Sequence, residues 1–181
     1  MNYKPDARLQ YKAIHKALES HNTYLNMGKL KEDESKIVVI DMSQPSYKKR
    51  FYLYDTNGGK ILREHHVSHG VRSNCRNDKA MACHFSNKIM SKKSNLGALR
   101  TGNIYYGKHG RSLNLHGLEK GINSNAYIRR IVIHSAKYVT NNFINRNGRA
   151  GNSWGCPALD PAICDDVIDI INGGMFVYVH K

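Results

Sequence analysis

The chain has 181 residues, enough for one well-buried core and short for two, so its length predicts a single domain with small embellishments. Lys and Arg number 28 against 14 Asp and Glu, a net charge of +14, which fits a polyanion or a negatively charged envelope or membrane surface; no helix-turn-helix, zinc-finger spacing or ribonucleoprotein aromatic motif accompanies it, so no specific nucleic-acid recognition is expected. No run of about 18 apolar residues is present, the first 20 residues hold no apolar core of a secretory signal, and four cysteines are too few for a disulfide scaffold.

In chain order, Ile14, Ala17, Leu18, Tyr24 and Leu25 recur at helical intervals with Gly28 as a stop, which predicts a helical extension over residues 1–33. From residue 36 the period changes. Lys36 to Asp41 is a β-branched run and Arg50 to Tyr54 a second strand, with Gln44-Pro45-Ser46 between them. Asp55-Thr56-Asn57-Gly58-Gly59 is a hairpin turn, because Asn-Gly accepts positive φ at low cost, and it leads into a third strand over Lys60 to Ser68. Gly70 to Leu99 is polar and reads as a long surface excursion. Thr101 to Gly110 and Ser112 to His116 form a strand and turn pair, and Arg129 to His134 is a buried strand ending on a histidine. Asp160 and Pro161 supply an N-cap and a first-turn proline for a helix carrying Ile163, Val167, Ile170 and Ile171, and Met175 to His180 closes the chain as a strand. The pattern predicts a mainly β domain with peripheral helices over residues 34–181.

One loop carries chemistry. Ser153-Trp154-Gly155-Cys156-Pro157 joins a Gly/Asn-rich segment to a helix, so the Cys156 thiol lies near backbone N–H groups that no element has claimed. The N–H groups of Gly155 and Cys156 are candidates for holding an oxyanion, and Gly155 admits a close substrate because it lacks Cβ. A thiol needs a base, and His134, 22 positions upstream, is the nearest candidate at a strand end. Such a pair is expected to lower the thiol pKa below the free-cysteine value of about 8.5. Each residue also has a plain structural reading, since cysteines often fill cores and histidines at strand ends often make structural hydrogen bonds. His65, His66, His69, Cys75, Cys83 and His84 are numerous, but neighbours on a strand point to opposite faces, so neither metal nor other cofactor is expected. Cys75 and Cys83 flank a short polar loop of the kind a disulfide staples; bridged and free states both remain open.

Ile133-His134-Ser135, a glycine-rich loop and Ser153-Trp154-Gly155-Cys156 together resemble the signature of YkuD-type murein L,D-transpeptidases. Val38 to Ser46, His69-Gly70, Phe85-Ser86-Asn87, Tyr106 to Leu113, Gly117 to Asn123 and Gly155-Cys156-Pro157-Ala158 are similar to the branch of that family whose cysteine precedes Pro-Ala. The motifs run from about Lys36 to His180. The resemblance implies a β-sandwich or barrel-like catalytic fold, located in the periplasm or cell envelope and peripheral to the membrane at most. It implies a monomer whose partners are anionic peptidoglycan stem peptides. Cys156 would be the nucleophile, His134 its base, and Ser135 would fix the imidazole through its backbone carbonyl. The substrate would be cut at the L-centre carbonyl of its third residue, typically diaminopimelate, with loss of D-alanine and transfer to an amine. Hydrolysis of the same acyl-enzyme and a non-catalytic murein-binding role are the alternatives. Trp154 stands where many members carry histidine, and Pro157-Ala158 where others carry an apolar residue followed by Arg or Asn. Arg149 is therefore the candidate for an anionic substrate contact, with Tyr106, His116, Ser153 and Trp154 as further cleft residues.

Overall fold

The computed structural model describes residues 4–30 and 35–181. Helix α1 (Ala7–Asn26) starts where the Asp6 carboxylate accepts the N–H groups of Arg8 and Leu9. It ends just before Gly28, whose φ of +66° halts the winding. Ala13, Ala17 and His21, four residues apart, form its buried face. That face packs on Ile37, Val39, Tyr52, Ala98 and Phe176, so this part of the predicted extension is seated on the sheet.

The strands are β1 (Lys36–Asp41), β2 (Phe51–Asp55), β3 (Lys60–His65), β4 (His69–Gly70), β5 (Gly97–Gly107), β6 (Gly110–Gly117), β7 (Val132–Ser135), β8 (Asn152–Ser153), β9 (Ala158–Leu159) and β10 (Phe176–His180). Eight of them form a curled, barrel-like sheet in the order β3-β2-β1-β10-β5-β6-β7-β9, and β4 pairs in parallel with β8. The expected mainly β architecture with peripheral helices is what the chain adopts. Strand β1 reads as an unbroken β-branched run because both its faces are covered. Val38 and Ile40 enter the main core, while Ile37 and Val39 face α1.

Helix α2 (Asn141–Asn147) and helix α3 (Pro161–Ile171) complete the fold. In α3 the Asp160 side chain accepts Ala162 N–H and Pro161 opens the first turn, as the sequence indicates. Cys164, Val167, Ile168 and Ile171 fill the core beside Leu113, Ile133 and Leu159.

Three strand boundaries differ from the expected ones by three residues or more. The strand predicted from Arg129 begins only at Val132, because Arg130 has a φ of +53° and belongs to a turn. Strand β3 stops at His65 rather than Ser68, and β5 starts at Gly97 rather than Thr101. Within the polar excursion, Cys75 and Cys83 form a disulfide with Cα atoms 4.9 Å apart, and Asn74 and Ala82 bridge beside it. These two sulfurs are thus spent on each other, not on a metal.

Candidate active site

Sheet order brings the two motif residues together. Strand β7 pairs in parallel with β9, with His134 opposite Ala158, so the end of β7 lies beside the segment that carries Cys156. Both side chains line one cleft of about 590 Å³, together with Tyr105, Lys108, His109, Arg129, Tyr138 and Trp154.

The loop before β9 is folded by its own hydroxyl. Ser153 Oγ donates to the Cys156 carbonyl at 2.6 Å and accepts Gly155 N–H at 3.0 Å. Ser68 Oγ donates to the same Cys156 carbonyl at 3.3 Å and accepts Ala158 N–H at 3.1 Å. Gly155 has a φ of +124°, and a Cβ there would meet the Lys93 carbonyl oxygen at 2.7 Å, so only glycine fits. Gly155 N–H therefore points into the loop, contrary to the expectation that it is free for an oxyanion. Cys156 N–H has no acceptor among the described residues.

His134 is buried, and its Nδ1 lies 2.8 Å from the Ser135 carbonyl oxygen. A carbonyl only accepts, so Nδ1 carries the proton and Nε2 keeps its lone pair. Burial lowers the His134 pKa; the Ser135 carbonyl opposes this, while His109 and Lys108 add to it. The His109 ring stacks on His134 with centroids 4.3 Å apart.

Burial pushes the Cys156 thiol up, against the opposing pull of Val132 N–H, Arg129 and Lys108. The expected thiol pKa below that of free cysteine is thus reversed in the resting site, because desolvation outweighs the nearby cations. The thiol donates instead to the Arg130 carbonyl at 3.5 Å. Burial thus favours the neutral form of both thiol and imidazole. Tyr138, across the cleft, is pushed up to about 12, chiefly by burial.

The other candidates divide. Trp154 stands at the cleft, mostly exposed, with Lys92 Nζ 4.0 Å and Lys108 Nζ 5.6 Å from its ring centroid. Ser153 borders the cleft but spends its hydroxyl on the loop. Tyr106 is exposed outside the cleft, and its neighbour Tyr105 faces it instead. His116 stacks on Tyr127 at 4.6 Å, away from the cleft lining. Arg149 bonds the Ala150 carbonyl at 2.9 Å and Asn152 Oδ1 at 3.1 Å, behind the loop and not in the cleft wall.

Sequence reasoning missed Lys108 and His109, which sit in the β5–β6 hairpin and reach His134 only because β6 is the neighbour of β7. It missed Arg129 too, whose guanidinium donates to the carbonyls of Ser86 and Lys93, to Asn95 Oδ1 and to Ser91 Oγ. The pair Arg129-Arg130 before an apolar strand was the available signal.

A family model described as the L,D-transpeptidase catalytic domain matches residues 5–180, which takes in α1 as well as the sheet. No curated relative matches. Solved structures similar to this chain include an L,D-transpeptidase from Mycobacterium smegmatis, 15% identical, covering 72% of this chain and 54% of that one, with a TM-score of 0.42. L,D-transpeptidase 1 of Mycobacterium tuberculosis is 13% identical over 72% of this chain and 56% of its own, with a TM-score of 0.40. The helical cell shape determining protein of Campylobacter jejuni is 16% identical over 72% and 43%, with a TM-score of 0.42. This chain spans about half the length of these proteins. On the family model, which accounts for nearly every residue, the chain belongs to the L,D-transpeptidase catalytic-domain family.

Proposed function

We propose that this protein is a cysteine acyltransferase acting on peptidoglycan stem peptides in the periplasm or cell envelope, with Cys156 as nucleophile and His134 as general base. The observation that carries this reading is the hydrogen bond from His134 Nδ1–H to the Ser135 carbonyl, which leaves Nε2 as a proton acceptor in the cleft that also holds the thiol.

Because burial favours the neutral form of both groups, sulfur loses its proton as it attacks rather than beforehand. The thiol turns from the Arg130 carbonyl toward Nε2, and Sγ bonds to the carbonyl carbon at the L-centre of the third stem residue, typically diaminopimelate. The oxyanion is held by Cys156 N–H, the donor the loop leaves unclaimed. Collapse breaks the bond to the terminal D-alanine, whose amine takes the proton from His134, and a thioester remains. An acceptor amine then gives its proton to His134, attacks the thioester and restores the thiol. Lys108 and Trp154 border the entry and suit an anionic peptide.

Incubation with a disaccharide-tetrapeptide, followed by intact-mass analysis, tests the reading. A thioester on Cys156 with loss of D-alanine supports it. Non-covalent binding alone would make the domain a murein-binding module, and a free tripeptide as the sole product would make the acceptor water.

A further inference from the structure

Acidic residues are missing from a long stretch of this chain. Between Lys79 and Leu159 Glu119 is the sole carboxylate side chain, against 13 Lys and Arg. Glu119 is itself turned inward, accepting Ala98 N–H at 2.7 Å. The segments that build the cleft and its surroundings therefore present cations with almost no counter-charge.

Beside the cleft, across Trp154 and Arg129, lies a second, apolar pocket lined by Ile89, Met90, Ile128 and Trp154 and edged by Lys92 and Arg130. Met90 is 74% exposed, Ile128 67% and Trp154 64%. Large apolar groups standing this far into water are costly unless something covers them. The three described non-glycine residues with positive φ, Met90, Lys92 and Arg130, all line this pocket. Strained backbone of this kind persists where the surroundings hold it. Here they do: Arg129 straps residues 86–95 to its own turn, and Asn87 exchanges hydrogen bonds with Ser124 and Asn125. The apolar tips are thus held out on a firm platform.

We propose that this face docks on the surface of an anionic phospholipid bilayer, with Met90, Ile89 and Ile128 entering the headgroup region and Lys88, Lys92, Lys108 and Arg130 meeting lipid phosphates. A polyanion such as nucleic acid or the murein strand would use the charge but leave the apolar side chains in water. A bilayer interface takes both, and the exposed Trp154 among lysines has the amphipathic form that interfaces favour. Docking this way sets the cleft at the membrane surface. The proposed contact is peripheral, and among the described residues no helix is long and apolar enough to cross a membrane.

The test is co-sedimentation of the full chain with vesicles of phosphatidylcholine alone and of phosphatidylcholine with equal phosphatidylglycerol. The double variant Met90→Asn, Ile128→Asn is run alongside; asparagine tolerates the left-handed backbone at 90. Wild type should bind the anionic vesicles about tenfold more tightly than the neutral ones, less so as salt rises, and the variant should lose about tenfold of that binding with unchanged thermal unfolding. Equal binding to both vesicles, no binding to either, or a variant that binds anionic vesicles like wild type would each overturn the proposal. So would a variant whose loss appears on isolated sacculi and not on vesicles, because the patch would then serve murein.

Discussion

The imidazole of His109 lies flat over that of His134, with centroids 4.3 Å and planes 22° apart. Two stacked histidines cannot both charge cheaply, so burial, then His109 and Lys108, all act to keep His134 neutral. A neutral base is the working form here, so activity should persist to lower pH than an ordinary histidine would allow. Replacing His109 with phenylalanine keeps a ring over His134 and removes the competing charge. The acid limb of the pH–rate profile should then move to higher pH with little change in the plateau, and an unmoved acid limb would remove His109 from this role.

Cys156→Ala should abolish turnover and Cys156→Ser should come close, because a hydroxyl lacks the nucleophilicity and leaving ability of sulfur. Neither change should unfold the protein. The neutral resting pair makes a sharper statement about chemistry without substrate. Iodoacetamide alkylation of Cys156 should titrate above the free-cysteine value, since desolvation dominates. His134→Gln keeps a hydrogen-bonding group but cannot take the proton, so turnover should be lost. An alkylation pKa below that of free cysteine, sensitive to His134→Gln, would replace concerted transfer with a preformed ion pair.

What the sequence disclosed followed from local chemistry. The Asp160-Pro161 start of α3 and the β-branched run of β1 were readable because capping and β propensity act over a few residues. The Ser-Trp-Gly-Cys loop and the histidine ending an apolar strand were readable as motifs. What stayed hidden depends on sheet order. A bulge between Thr101 and Ile104 inverts the alternation of β5, so counting by twos does not reveal that Tyr105 and not Tyr106 meets the cleft. His109 reaches His134 only through the β5-β6-β7 arrangement. Gly155 N–H was expected free, and only the fold reveals that Ser153 Oγ takes it.

The Cys75–Cys83 disulfide joins residues 8 apart. Loop-closure entropy for so short a ring gives about 2.5 kcal/mol of stabilisation. Asn74, next to the bridge, accepts from His69 Nε2 and exchanges hydrogen bonds with Asn152, which pairs β8 with β4 just before the Cys156 loop. The double variant Cys75→Ser, Cys83→Ser should lower Tm by roughly 5–10 °C, and calorimetry with and without reductant on wild type should reproduce the shift. A reductant-insensitive Tm would mean that the bridge does not constrain the chain.

Arg50 is fully buried and donates to the carbonyls of Gln44 and Val67 and to His69 Nδ1, 2.7 Å away. His69 is thereby an acceptor at Nδ1, so Nε2 holds the proton and donates it to Asn74 Oδ1 at 2.8 Å. A second proton would have to replace the Nδ1 lone pair facing a guanidinium. Burial first, and Arg50 next, bring the His69 pKa down to about 3. The unfolded chain takes up that proton near pH 6.5 while the folded chain refuses it, so a folded pKa below the unfolded one gives stability that is complete above about pH 6.5 and drains away as pH falls toward 3. At pH 5 the loss from His69 alone is about 2 kcal/mol. Buried His66 and His180, also lowered mainly by desolvation, add to it in the same direction. Urea unfolding at pH 7.5 and pH 5 should therefore show a large drop for wild type and a smaller one for His69→Asn, which is less stable at both pH values but has no proton to refuse. Arg50→Ala strands two carbonyls and should cost about 3–5 kcal/mol at pH 7.5, while leaving His69 easier to protonate. Equal pH dependence in wild type and His69→Asn would show that the acid sensitivity arises elsewhere in the fold.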